Sequence, residues 1–245
     1  MPQKEYIIIT PPGQASGLRD LAFLPAHPCF QADREGRLTG AHTAGLSGGL
    51  LVLDTTHWDG VQRAVPLCRE VLRTCLSHRF AGVMLTSPCR AAPLLEALLG
   101  EHRLRLLVPE AAAGLVERAG VYISSAISGG CLEDRLARAL DRFGPDRLIL
   151  RPEQSAEDFF LPAPTGCGQP LTPEDLQRLK DRWKPCIFFS PPLCARYFTY
   201  MSKESGAHFV LFDDGDTMAR KLERAEEAGV RSFLFSSPRL ARLCH

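Results

Sequence analysis

Eight short apolar runs, each ending in polar or proline residues and alternating with helical patterns, predict a (β/α)8 TIM barrel for this sequence. The length of 245 residues suits one barrel of about 250 and buries a large core without a disulfide or metal staple. The runs are continuously apolar rather than alternating, which is the pattern of strands covered on both faces. An open doubly wound sheet is the rival arrangement.

In chain order the strand candidates are 50–54, 81–87, 104–110, 121–127, 147–153, 186–190, 208–213 and 231–236. Helical spacing fills the gaps. Residues 60–78 place Val61, Ala64, Val65, Cys68, Val71, Leu72 and Cys75 near a 3.6 period. Residues 91–102 contribute Leu94, Leu95, Leu98 and Leu99, and 132–143 contribute Leu132, Leu136, Leu140 and Phe143. The segment 171–183 opens with Thr172, Pro173, Glu174 and Asp175: a cap residue, proline at the first helical position, then acids that complement the helix dipole. The segment 217–228 stops at Gly229, the expected left-handed terminator. Residues 1–46 do not share this rhythm. Cys29–Ala41 reads as two short strands around Arg34, Glu35 and Gly36, so the segment is expected to be an N-terminal extension or hairpin packed on a barrel of residues 47–245.

Charge narrows the function. Lys and Arg number 29 against 28 Asp and Glu, a net charge of +1, which argues against a nucleic-acid partner. The opening apolar run, Tyr6–Thr10, falls short of the roughly 7–15 apolar residues of a secretory signal and the roughly 20 of a membrane span. Nine cysteines lie without C-x-x-C spacing and read as reduced thiols. A cytoplasmic protein with no membrane partner is the expectation. No H-x-H or H-x-x-x-H pair, phosphate loop, dinucleotide fingerprint or nucleophile elbow occurs, so neither metal nor cofactor is expected.

Barrel chemistry sits at the carboxyl ends of strands. Alternate runs end in acids, and Asp54, Glu110 and Glu153 are the candidate catalytic acid and base. His57, Trp58, Asp213, Asp214 and Tyr200 are the candidate substrate contacts, with Trp58, Tyr197 and Tyr200 offering flat apolar surfaces to a sugar ring. The plainer reading is that polar residues must follow an apolar strand, and that carboxylates are stabilised at helix amino ends.

The stretch 196–237 resembles one family. Tyr197-Phe-Thr-Tyr200, then His208-Phe-Val-Leu-Phe-Asp-Asp214, then Thr217 and Lys221-Leu222 are similar to the end of bacterial family-18 glycoside hydrolases, the chitinase-like proteins of spore-cortex type. The resemblance implies a barrel and a carbohydrate ligand. Family-18 catalysis uses a strand resembling D-G-x-x-x-D-x-E, whose Glu is the acid and whose Asp supports substrate-assisted cleavage. Ala81–Pro88 and Ala119–Ala126 are the nearest stretches, and both lack the Asp and the Glu.

The sequence therefore supports a glycosidase-like barrel without family-18 catalytic residues, binding or processing a carbohydrate or other small polar ligand. A hydrolase using other strand-end carboxylates and a non-catalytic scaffold barrel stand as alternatives, and the sequence specifies no oligomeric state. An aldolase-type barrel is disfavoured, because no lysine ends a strand.

Overall fold

The computed structural model describes residues 4–11, 23–40, 45–162, 166 and 168–241, which divide into two units. The first holds the described residues up to Ile123, Arg142–Arg151 and those from Val230 onward. The second holds Ser124–Asp141 and the described residues of Pro152–Gly229.

The first unit contains β1 (Glu5–Ile9), β2 (Leu24–Ala32), β3 (Leu38–Gly40), β4 (Leu50–Asp54), β5 (Gly82–Leu85), β6 (Arg105–Pro109), β7 (Gly120–Ser124), β8 (Leu148–Arg151) and β14 (Ser232–Phe235). They form a nine-stranded sheet in the order β1-β14-β8-β7-β6-β5-β4-β2-β3, and β1 also pairs with β2. That pairing closes eight strands into a parallel barrel and leaves β3 as the antiparallel partner of β2. Every barrel strand sends a side chain into one cluster: Ile7, Ala26, Leu50, Val52, Met84, Leu107, Tyr122, Ile149 and Leu234. Alternate residues such as Ile8, Leu51, Leu53, Val83 and Val108 point the other way and are buried too. Burial on both faces is why these strands read as continuous apolar runs.

Helix α1 (Ala64–His78) buries the stripe Leu67, Cys68, Val71 and Cys75, and stops where left-handed Arg79 returns its N–H to Cys75 and Leu76. It starts four residues later than its periodicity suggests, with Pro66 in the first turn, where a missing N–H costs nothing. Helix α2 (Ala92–Glu101) follows β5. No α-helix joins β6 to β7; a 3-10 turn, Glu110–Leu115, does so. Glu96 of α2 secures that connection by accepting the N–H groups of Glu117, Arg118 and Ala119 at 3.0, 2.8 and 2.6 Å. A short α6 (Pro238–Ala241) follows β14.

The second unit is a five-stranded antiparallel sheet, ordered β10 (Gln169–Pro170), β9 (Ala156–Phe160), β13 (Gly206–Phe212), β12 (Ala195–Ser202), β11 (Phe188–Ser190). On one face Phe198, Val210 and Phe212 pack with Leu176 and Leu179 of α4 (Pro173–Trp183). The other face carries Phe159, Ala195 and Leu211 beside Tyr197 and Phe209. Helix α4 starts at the cap residue read from its sequence, Thr172, and the structure adds a reciprocal bond between Thr172 and Asp175. Helix α3 (Leu132–Phe143) begins in this unit, with the Leu132 N–H donating to Pro192 at 2.8 Å. Helix α5 (Gly215–Glu227) completes the unit.

The sequence reading needs two corrections. The first 46 residues are not merely an extension, because β1 and β2 are barrel strands. Pro25 and Pro28 disguised β2, since proline donates nothing to a ladder. The ladder to β4 shifts register between His27 and Phe30, at a bulge that accommodates Pro28. Conversely, the runs 186–190 and 208–213 are not barrel strands but β11 and β13 of the antiparallel sheet. The centre of β13 is covered on both faces, so it too reads as a continuous apolar run. The hairpin of Phe30–Ala32 with Leu38–Gly40 around Arg34–Gly36 forms as expected. The expected loop at Thr165–Gly168 lies largely outside the described residues, as do Cys167 and Cys244.

Candidate functional site

Parallel closure sets the carboxyl ends of β4, β5 and β6 at one mouth of the barrel. Leu50 and Val52 point inward, so strand alternation turns Asp54 toward the mouth as well. Asp54 Oδ1 accepts from the Thr56 N–H at 2.9 Å and from the Thr86 hydroxyl at 3.1 Å. The Thr55 hydroxyl donates to the Ser87 carbonyl at 2.9 Å and tethers the two strand ends. Hydrogen bonds from the Thr56 side chain and amide, then from Thr86, with nearby His57 adding its charge, hold the Asp54 carboxyl below the usual range against its partial burial. Asp54 is thus an ionised acceptor ringed by Thr55, Thr56, Thr86 and Ser87.

His57 is exposed beside this cluster, and Glu110 sits half-buried at the start of the 3-10 turn after β6. Trp58 does not match its expected role. It is 4 % exposed and its indole N–H donates to the Gln62 carbonyl at 2.9 Å, so no ring face is open to a sugar. Below the mouth, the Tyr122 hydroxyl donates to the Leu85 carbonyl at 2.8 Å, and burial pushes its pKa up to about 12. The Arg151 guanidinium lies 5.7 Å from the Tyr122 ring centre. Sequence reasoning missed Tyr122, although its inward parity on β7 was available as a signal.

The remaining candidates fall in the second unit. Glu153 stands two residues past β8, bonded to the Ser124 hydroxyl, while its own N–H donates to Ser125 Oγ at 3.1 Å. Asp213, expected at a barrel strand end, instead follows β13 of the antiparallel sheet. Its side chain is wholly buried and paired with Lys221 Nζ at 2.7 Å. Asp214 caps α5 by accepting the Thr217 N–H at 2.9 Å and pairs with Arg196. Tyr200 donates its hydroxyl to Asp158 at 2.7 Å and stacks on Trp183 with centroids 5.1 Å apart. These contacts give Asp213 and Asp214 structural work; neither ends a barrel strand.

Residues 81–88 run along β5, the fourth barrel strand in chain order. Gly82 is obligatory there, because a Cβ would sit 2.2 Å from the Arg105 carbonyl oxygen. Matched from Ala81 to the D-G-x-x-x-D-x-E pattern, Thr86 takes the place of the Asp and Pro88 that of the Glu. Neither can donate a proton as a carboxylic acid would. A groove of about 790 Å³ opens elsewhere in this unit, beside the amino ends of β6 and β7 and lined by Glu96, Arg105 and Arg118. It lies at the opposite end of those strands from Asp54, the end associated with stability rather than catalysis.

The fold is that of a chitinase-like barrel. The spore cortex-lytic enzyme SleL of Bacillus megaterium superposes with a TM-score of 0.63 at 16 % identity, covering 97 % of this chain and 72 % of that one. A chitinase from Chromobacterium violaceum gives 0.65 at 14 %, covering 96 % and 94 %. The class V chitinase of Nicotiana tobaccum gives 0.62 at 12 %, covering 98 % and 97 %, and a variant of it is solved in complex with NAG4. No family model and no curated protein matches the sequence. No helix among the described residues is long and apolar enough to cross a membrane.

Proposed function

We propose that this chitinase-fold barrel binds an oligosaccharide at its strand-end mouth and does not cleave it by the family-18 route. The observation that carries this reading is the end of β5, where Thr86 and Pro88 stand in the positions of the family's acids. Substrate-assisted cleavage needs one carboxylic acid to protonate the leaving oxygen and a second carboxyl to steady the acetamido group. A hydroxyl and a proline supply neither. What the mouth offers is the ionised acceptor Asp54 and a ring of hydroxyls, the donor and acceptor set that recognises sugar hydroxyls.

The NAG4 complex of the tobacco chitinase makes an N-acetylglucosamine oligomer the first ligand to try. Calorimetric titration of the protein with the chitin tetramer should give saturable binding, weakened about tenfold or more in Thr86→Val, with no release of shorter sugars over days. One lost hydrogen bond to a charged acceptor costs about 1.5–3 kcal/mol, which is the origin of that figure. Release of dimers by the wild type would overturn the non-cleaving reading, and absence of binding up to millimolar sugar would overturn the glycan reading.

A further inference from the structure

At one end of the antiparallel sheet three side chains stand in series. Ser205 Oγ lies 2.7 Å from His208 Nε2, and His208 Nδ1 lies 3.0 and 3.1 Å from the two Asp158 carboxylate oxygens. Ser205 belongs to the turn between β12 and β13, His208 to β13 and Asp158 to β9, so the sheet register fixes their spacing. His208 and Asp158 are mostly buried, with side-chain exposures of 11 % and 15 %, and Ser205 is half-buried.

The imidazole is held against rotation. Tyr200, its neighbour across β12, stacks on it at 4.4 Å and 10°, and Phe160, its neighbour across β9, meets it edge-on at 5.4 Å. Tyr200 also donates its hydroxyl to Asp158 at 2.7 Å, which keeps the carboxylate aimed at Nδ1. With Nδ1 bonded to a carboxylate, the proton sits on Nδ1 and Nε2 is left as the base facing the serine hydroxyl. That is the connectivity by which a serine becomes a nucleophile: hydroxyl, imidazole, orienting carboxylate. Beside it, the N–H groups of Glu204 and Ser205 converge on Ser202 Oγ at 3.2 and 3.4 Å. Both amides are satisfied by that hydroxyl, so the turn that carries Ser205 is braced at Ser202. Phe160, 54 % exposed, offers an apolar surface next to the imidazole.

We propose that Ser205, His208 and Asp158 form a hydrolytic site for small carboxylic esters whose acyl group is apolar. Ser205 Oγ forms a bond to the ester carbonyl carbon while its proton passes to His208 Nε2. The tetrahedral adduct collapses, the ester C–O bond breaks, and the departing alcohol takes that proton. Water then attacks the acyl-serine, giving its proton to His208, and the carboxylic acid leaves as Ser205 recovers its hydrogen. Asp158 and Tyr200 are positioning residues. Asp158 stabilises the imidazolium and Tyr200 orients Asp158.

The test uses the whole chain with p-nitrophenyl butyrate as probe and a fluorophosphonate as covalent label. Turnover by the wild type should stand measurably above buffer. It should fall by about 10³-fold or more in Ser205→Ala and His208→Gln, and by about 10³–10⁴-fold in Asp158→Asn. The label should add one mass increment to the wild type, mapped by peptide analysis to Ser205. Labelling needs no variant, so a misfolded His208→Gln would leave the test intact. A merely structural network would show neither labelling nor turnover above buffer, and either absence overturns the proposal. So does a well-folded Ser205→Ala that hydrolyses the ester at the wild-type rate.

Discussion

Asp54 and Asp213 each follow an apolar strand, yet the two carboxylates have different chemistry. Asp54, at the barrel mouth, is half-buried, and its hydrogen bonds come from hydroxyls and an amide. Asp213, in the second unit, is closed on every side. It accepts from Ser155 N–H and hydroxyl at 3.2 and 3.1 Å, from the Thr217 hydroxyl at 3.1 Å and from Lys221 at 2.7 Å. Its acceptor capacity is spent within the fold, whereas Asp54 has exposure left for a ligand. The difference teaches that a strand-end acid is a functional candidate only when the covering elements leave it open.

The sharpest way to break that contrast is Lys221→Met. It leaves a buried carboxylate uncompensated and should cost about 3–5 kcal/mol, read as a lower urea midpoint. Adding Asp213→Leu should recover most of the loss, because a well-packed apolar pair often matches a buried ion pair. A single variant within 1 kcal/mol of wild type would mean that Asp213 is not a structural anchor.

Asp54→Asn should be milder, at about 1 kcal/mol, because the carboxylate is only partly buried. Its pH dependence is distinctive. The folded-state pKa of Asp54 lies below its unfolded value near 4, so its stabilisation is fully present above that pH. It is lost as pH falls through the depressed value. The gap between wild type and Asp54→Asn should therefore close on acidification, and a constant gap from pH 7 to pH 2 would count against the hydrogen-bonded carboxylate.

The subtlest effect concerns His27, a titratable group closed in by the barrel wall. It is 7 % exposed, bonds the Gly48 carbonyl at 3.2 Å through Nε2, and leaves Nδ1 without a hydrogen-bond partner. Burial lowers its pKa below the ordinary 6.5, outweighing the bond to Gly48. Its contribution to stability is present above pH 6.5 and declines as pH falls below that. Denaturation midpoints should drop between pH 7.5 and 5.5 in the wild type and less steeply in His27→Leu; parallel profiles would remove His27 as the cause.

Legibility in the sequence followed local physics. Six of the eight strand candidates are barrel strands, because continuous apolar runs report burial on both faces wherever it occurs. The α4 cap was readable because Thr172, Pro173 and Asp175 satisfy their own backbone. The two exchanged strand pairs were not readable. Proline hid β2, and β13 buries both faces of its centre without belonging to a barrel. Two adjacent long strands around the Ser202–Gly206 turn were the overlooked hairpin signal. Trp58 and Asp213 misled for a shared reason. Residue type announces what a side chain offers, while exposure and neighbours decide whether the offer is open.

By itself the sequence determined the barrel architecture and the Thr172 start of α4, since each depends on residue identity and short-range periodicity. Only the tertiary structure decided which strands close the ring, which acids stay accessible and that Ser205, His208 and Asp158 stand in series. Those depend on pairings between residues distant in sequence, such as Asp158 with His208 or Glu5 with Ser232 across the ring, and no local pattern encodes them.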